Sequence, residues 1–271
     1  MLVIGCGLVH CRFGHKLPLQ LWENDATLAE RVCQSRGYQW YKSELKVEGG
    51  ALAFNGAGTV ITTESVLLDK RRNPGRLKED VEQELKEYLG CQEVIWLEKG
   101  LPYDDTGGHV DNVTAFVHES EVVLAWIDED RDPELHRSLS RAKATLEKHG
   151  LKVHKLHLPD QPFRTADEMV PALQAEGFKH YLKECSEFLP GSYVNFYIAN
   201  QAVIVPLFNQ RHWDKLALHT LEDVFRGSGR KVVGVPTRDL LVGGGNIHCL
   251  TQHVPQAYHH YSPTLPTNLL R

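Results

Sequence analysis

The sequence lacks several things whose absence narrows its function. No apolar run in the 271 residues approaches the ~20 that a membrane-spanning helix needs. Clustered basic residues are also missing: 30 Lys and Arg stand against 35 Asp and Glu, for a net charge of −5. That balance argues against a phosphate-backbone partner, because nucleic-acid affinity draws on concentrated positive charge. The six cysteines, Cys6, Cys11, Cys33, Cys91, Cys185 and Cys249, form no C-x-x-C pair and no tight framework. Such usage belongs to a reduced, cytoplasmic protein. The apolar start, Met1 to Val9, has no basic region before it and is too short for a secretory signal. It reads as a buried strand.

An apolar fraction of 42% with 24% charged residues suits a soluble chain with one large core or two small ones. Along it a unit recurs three times: an extended pair, a helix with one polar face and a closing strand. In the first copy Thr59 to Leu68 is extended. A helix follows over Arg76 to Leu89, with Leu77, Val81, Leu85, Tyr88 and Leu89 at helical spacing and Gly90 as its stop, and Val94 to Leu97 closes the unit.

The second copy runs Asn112 to Val117, Val122 to Trp126, a helix over Glu134 to His149 and Val153 to Leu158. The third runs Tyr193 to Ala199, Ala202 to Pro206, a helix over Asp214 to Phe225 and Lys231 to Pro236. Units of this ββαβ kind cannot each bury a core alone, so they are expected to pack around a common axis, as in a propeller. Pro159 to Gly191 interrupts the series as an insertion with a short helix within Thr165 to Leu189, a candidate lid. One domain is expected over 1–256, with a poorly packed tail over 257–271.

Three segments set titratable residues among glycines: Val47-Glu48-Gly49-Gly50, Asp104 to Asn112, and Gly243-Gly244-Gly245-Asn246-Ile247-His248-Cys249. Glycine is entropically costly, so runs of it next to polar groups suggest backbone approaching a ligand. Were the second segment extended, His109 and Asp111 would share a face, placing a proton-transfer group beside an anion. His248 and Cys249 would point to opposite faces of a strand, which weakens a zinc site built on them. A zinc set of Cys249, His109 and Asp111 lacks the close ligand spacing usual for that metal.

Four strings resemble the agmatine deiminase and bacterial peptidylarginine deiminase family. They are Val47-Glu48-Gly49-Gly50, Asp105-Thr106-Gly107-Gly108-His109-Val110-Asp111-Asn112, Ser192 to Asn200, and Gly243 to Gln252. The likeness runs from about Pro18 to Pro255. It implies an α/β fold, a five-bladed α/β propeller (pentein) of ββαβ units around a central site, here with an incomplete first blade. It also implies Cys249 as nucleophile, His109 as proton-transfer group and Glu48 as the residue orienting His109. Asp111 and Asp105 would bind the guanidinium or the far amine of the substrate, with Gly244, Gly245 and Asn246 lining the pocket.

The expected reaction hydrolyses agmatine to N-carbamoylputrescine and ammonia, in polyamine biosynthesis, with no metal and no organic cofactor. A peptidylarginine substrate, or a non-catalytic binding relative, are the alternatives. The expected partner is a small cationic guanidine, not nucleic acid or membrane, and a homo-oligomer is left open. One departure stands out: the family's Arg-Asp-x-Gly-Pro string is absent, since Arg131-Asp132-Pro133 and Arg238-Asp239 lie in the wrong places. Residues 1–16 therefore read as the remainder of a shortened first blade, which leads to an expectation of weak activity.

Plainer roles compete at each position. Cys249 as an inert buried thiol and His109 as a satisfied core histidine both fit less well than function, given the flanking glycines. Glu48 could be a strand-end charge. Asp104 and Asp105 could both cap a turn; Asp105 is expected at the site and Asp104 at the surface. Asn195 either lines the pocket or is solvated, and the sequence does not separate the two.

Overall fold

The computed structural model describes residues 27–38, 40–162, 165, 168 and 188–253. The expected strand at the N-terminus, most of the insertion with its helix, the tail, Cys6, Cys11 and Cys185 lie outside the described residues. No described helix is long and apolar enough to cross a membrane.

Helix α1 (Leu28–Arg36) comes first and ends at Gly37 in the left-handed region. Three three-stranded sheets follow, all with one topology. The first holds β1 (Ala53–Phe54), β2 (Thr59–Thr63) and β3 (Glu93–Leu97); the second β4 (Thr114–His118), β5 (Glu121–Trp126) and β6 (Lys152–His157); the third β7 (Tyr197–Ile198), β8 (Ala202–Leu207) and β9 (Lys231–Pro236). In each the first two strands are antiparallel and the third returns parallel to the middle one. A parallel return needs a crossover helix. These are α3 (Lys78–Leu89), α4 (Pro133–Lys148) and α5 (Arg211–Val224). The three expected ββαβ units are thus present, as a mixed α/β structure.

Local chemistry sets the helix ends. Asp132 accepts hydrogen bonds from the Glu134 and Leu135 amides at the start of α4, with Pro133 in its first turn. Gly90 stops α3 with φ +67°. Some expected boundaries move. The first extended pair is β1 with β2, not 59–68, because pairing with β3 ends at Thr63–Leu97 and the chain then coils into the short helix α2 (Glu64–Leu67). Leu77, expected on the apolar face of α3, is its exposed N-cap. Of 193–199 only β7 pairs as strand, since 192–195 turns inward, where Ser192 Oγ donates to the Asn112 carbonyl at 2.8 Å.

The larger core cluster joins the second and third sheets to β2 and β3, with Ile61, Ile95, Val122 to Ala125, Leu156, Val203 and Leu221 buried. The smaller packs α3 against the first sheet through Val60, Val66, Val81 and Leu85. The middle strands β2, β5 and β8 carry most of this apolar surface, as strands covered on both faces do. Polar residues are left to the segments that lead into the first strand of each sheet, 46–50 before β1, 104–112 before β4 and 192–195 before β7, and to 243–249 beyond β9.

Candidate active site

Glu48 ends an extended stretch and begins a single 3-10 turn over Gly49–Ala51. Its carboxylate is buried and receives Arg72 Nε at 3.1 and 3.0 Å on its two oxygens. Arg72 is itself buried, and donates Nη1 to the Val66 carbonyl and Nη2 to the Thr106 carbonyl. The next residue, Asn73, clamps Lys46 by accepting from its amide and donating to its carbonyl. Two neighbours thus fix the Glu48 segment and tie it to the loop bearing His109.

His109 Nε2 lies 3.3 Å from Glu48 Oε2, with both side chains buried. The ring's other nitrogen faces Gly50. A Cβ on Gly50 would stand 2.6 Å from His109 Nδ1 and 2.6 Å from Asp111 Oδ2. Only a residue without a side chain fits there. His109 and Asp111 do share a side, but through a 3-10 turn over Val110–Asn112 and not through extended backbone.

Asp104 corrects the expectation of a surface role. It is buried, and accepts hydrogen bonds from the Thr106 amide at 2.9 Å, the His109 amide at 3.0 Å and Asn112 Nδ2 at 3.1 Å. Turn-capping by Asp is common; here the turn is inside the protein. Asp105 is half-buried on the same loop. Gly108, with φ +108°, lets the loop cross the backbone of Gly100 within van der Waals contact, and Thr63 Oγ1 holds its carbonyl at 2.8 Å.

The third segment is not a strand. His248–Leu250 forms a 3-10 turn, so His248 and Cys249 converge where alternation would have separated them. His248 Nδ1 lies 2.9 Å from Asp111 Oδ2, and Cys249 Sγ lies 3.3 Å from the same oxygen. Gly245 passes close to Cys249: an added Cβ would meet that of the cysteine at 3.2 Å. Gly244 takes φ +94°, and Asn246 is buried with Oδ1 on the Ile247 amide.

Asn195 organises this turn and resolves the alternative left open above: it is fully buried. Its Oδ1 accepts from the His248 and Cys249 amides at 2.9 and 3.3 Å. Backbone N–H groups are obligate donors, so the side-chain NH2 must face the other way. There Nδ2 reaches Cys249 Sγ at 3.2 Å and Asn112 Oδ1 at 3.0 Å. Arg72 and Asn73 lie outside every segment that the sequence singled out, while Asp104, Asn112 and His248 lie within those segments but were assigned no part in holding the site.

Charge completes the picture. Burial and, after it, the Asp111 carboxylate push the Cys249 thiol well above its ordinary range. Burial would raise Asp111 too, but the His248 hydrogen bond and the charges of His248 and His109 outweigh it and hold the carboxyl below the usual range. Asp111 Oδ1 and Asn246 Nδ2 are buried with no hydrogen-bond partner among the described residues. Such atoms are expected to meet a ligand or water. Cys249, His109 and Asp111 do come together, yet no described group of three or more His, Cys, Asp or Glu is arranged to hold a metal ion.

Residues 6–255 match the model of the Porphyromonas-type peptidyl-arginine deiminases. The chain belongs to that family. Among curated relatives of this chain, a Mycoplasma capricolum protein provisionally named an agmatine deiminase is 41% identical over 242 residues, covering 86% of this chain and 64% of its own length. A Listeria monocytogenes protein with a similarly provisional name is 40% identical over 242 residues, with the same coverage of both chains. This family member therefore spans less than two thirds of the length of those relatives. The solved agmatine deiminase of Enterococcus faecalis superposes with a TM-score of 0.76 at 31% identity, over 93% of this chain and 68% of that one. An X-ray structure provisionally named an agmatine deiminase gives 0.82 at 33% identity, over 94% and 69%.

Proposed function

We propose that this deiminase hydrolyses a small guanidine, agmatine, to N-carbamoylputrescine and ammonia. The observation that carries the reading is the buried Asp111, with Oδ2 beside the Cys249 thiol and Oδ1 unpartnered. A planar cation rich in N–H donors suits such a carboxylate, since charge-assisted hydrogen bonds give both affinity and orientation. Held there, its central carbon faces Sγ.

In the empty site burial and Asp111 keep the thiol protonated. A bound guanidinium offsets the Asp111 charge, and as sulfur approaches carbon the thiol proton passes to His109, which carries it for the departing nitrogen. The S–C bond forms and a tetrahedral adduct results. His109, oriented by Glu48, gives a proton to the departing nitrogen, which leaves as ammonia while the C–N bond breaks. A thiouronium remains on Cys249. His109 then takes a proton from water, the hydroxyl adds at carbon, the S–C bond breaks, and the ureido product and thiol are released. General acid–base help of this kind contributes roughly 10²- to 10⁴-fold.

Asp105, Gly244, Gly245 and Asn246 belong to the substrate's far end in this reading, and the five-bladed propeller is the frame that would enclose them. A cytoplasmic enzyme of polyamine formation follows from the same reading, with no nucleic-acid or membrane partner and a homo-oligomer left open. The test is ammonia release and ureido-product formation with agmatine, free arginine and a peptidylarginine side by side. Turnover of agmatine alone supports the proposal. Preference for the peptide moves the substrate to the open-cleft alternative, and binding without release from any of the three leaves a ligand-binding relative.

A further inference from the structure

His248 lies outside the nucleophile, acid and orienting roles assigned above, yet it makes the shortest side-chain contact to Asp111. Its Nδ1 is 2.9 Å from Asp111 Oδ2, and the imidazole is about a quarter exposed while the carboxylate is buried. The ring therefore reaches solvent at one side and the site's anion at the other. The backbone leaves it little freedom: the His248 amide donates to both Asn195 Oδ1 and the Asn195 carbonyl.

The groups facing this imidazole can be named. Asp111 is the anion, and the Cys249 thiol shares the same oxygen. His109 bears on Asp111 from the other side, backed by Glu48 and Arg72. From the segment after Cys249 comes His253, its ring centroid 6.4 Å from that of His248 and stacked at 4.6 Å on Tyr197. Among the described residues, Asp111 is thus the one anion in hydrogen-bonding contact with His248.

An imidazolium at Nδ1 and a guanidinium are both cationic N–H donors, and one carboxylate serves both. We propose that His248 is a positioning residue whose protonated form competes with a cationic guanidine for Asp111, so that ligand affinity is proton-linked at this histidine. The inference rests on the guanidine-ligand reading. At higher pH neutral His248 yields Asp111 to the ligand while still bracing Oδ2. At lower pH its charge offsets that of Asp111 and weakens binding. Linkage is reciprocal, so ligand binding drives a proton from His248 into solvent.

The experiment measures agmatine affinity by calorimetry in Cys249→Ser, which binds without turnover, and in Cys249→Ser with His248→Asn. Asparagine keeps a donor near Asp111 but carries no titrating charge. Between about pH 8 and about pH 5, the range imidazoles span, the single variant is expected to lose affinity by up to tenfold per pH unit and to release about one proton per ligand. The double variant is expected to bind with a nearly flat profile and to match the single variant at the alkaline end within about threefold.

An equal slope in both proteins overturns the inference while leaving the guanidine reading intact. If agmatine binds neither protein at any pH, the guanidine reading fails, and the ligand-free NMR titration of the His248 ring decides the coupling separately. A titration identical in the parent and in Asp111→Asn then overturns it as well; a displaced one retains the His248–Asp111 link.

Discussion

The thiol of Cys249 stands 3.3 Å from Oδ2 of Asp111, a residue 138 positions earlier in the chain. That carboxylate, after burial, is the second cause that holds the Cys249 thiol above its ordinary range, and the thiolate is the reactive form of cysteine. Under the proposed function, a cationic ligand on Asp111 would relieve that restraint.

Cys249→Ser is expected to abolish ammonia release, a loss of at least a thousandfold, while agmatine binding stays within a few-fold of the parent. Oxygen at neutral pH is the weaker nucleophile and the binding carboxylate is untouched. Steady-state assays with equilibrium binding check this, and substantial residual turnover would sink the covalent mechanism.

The thiol's raised pKa predicts slow alkylation of Cys249 by iodoacetamide at neutral pH and acceleration well into the alkaline range. Asp111→Asn should shift that profile to lower pH without restoring an ordinary thiol, because burial is the larger cause and remains. Stability follows the opposite sign at the carboxylate: Asp111, held low in the fold, contributes above its unfolded value and loses that contribution as pH falls through the acid range. Rate constants read by mass spectrometry, and acid unfolding of the parent against Asp111→Asn, test both halves.

Gly50→Ala should leave the chain folded at a cost of about 1–3 kcal/mol and reduce turnover on the order of a hundredfold. Its methyl would meet His109 Nδ1 and Asp111 Oδ2 at 2.6 Å, so one of them must move, and misplacement of about 1 Å costs that much. Circular dichroism with kinetics separates folding from activity; parent-like turnover would show that the loop yields freely.

Arg72→Met leaves Glu48 buried without its partner, and both side chains are 3% exposed. Breaking one member of such a pair costs about 3–5 kcal/mol. Urea unfolding should show that loss, and adding Glu48→Gln should recover part of the stability but none of the activity. If the single variant is as stable as the parent, water must reach the Glu48 carboxylate.

Asn195→Asp preserves shape but replaces the Nδ2 donor with an acceptor. It should lower turnover at least tenfold and raise the pH at which Cys249 is alkylated, since a second negative charge is added beside Sγ at 3.2 Å. An unchanged alkylation profile would mean that Asn195 serves only to hold the turn.

Much of the frame could be read from local pattern. Apolar extended runs marked β2, β5 and β8, helical spacing marked α3, and Gly90 marked a helix stop. Boundaries slipped where tertiary contacts intervene, as at Thr63, whose hydroxyl binds the Gly108 carbonyl just where the strand ends. Glu48, His109, Asp111 and Cys249 stood out because glycine beside titratable residues is costly without a purpose. Asp104 did not, because nothing in a pair of adjacent aspartates says which one faces inward.

By itself, then, the sequence determined the repeated α/β units, the order of the polar loops and the residue types able to hold a cation beside a thiol. These depend on hydrophobic period, turn chemistry and side-chain charge, which are properties of short stretches. Only the tertiary structure decided that His248 and Cys249 converge on one oxygen of Asp111, that Asn195 holds their turn, and that Arg72 stands behind Glu48. Those relations join residues tens to more than a hundred positions apart, and a 3-10 turn reverses the direction that strand alternation assigns to a side chain. Their geometry is set by which loops the packed sheets bring together, and no local rule encodes that.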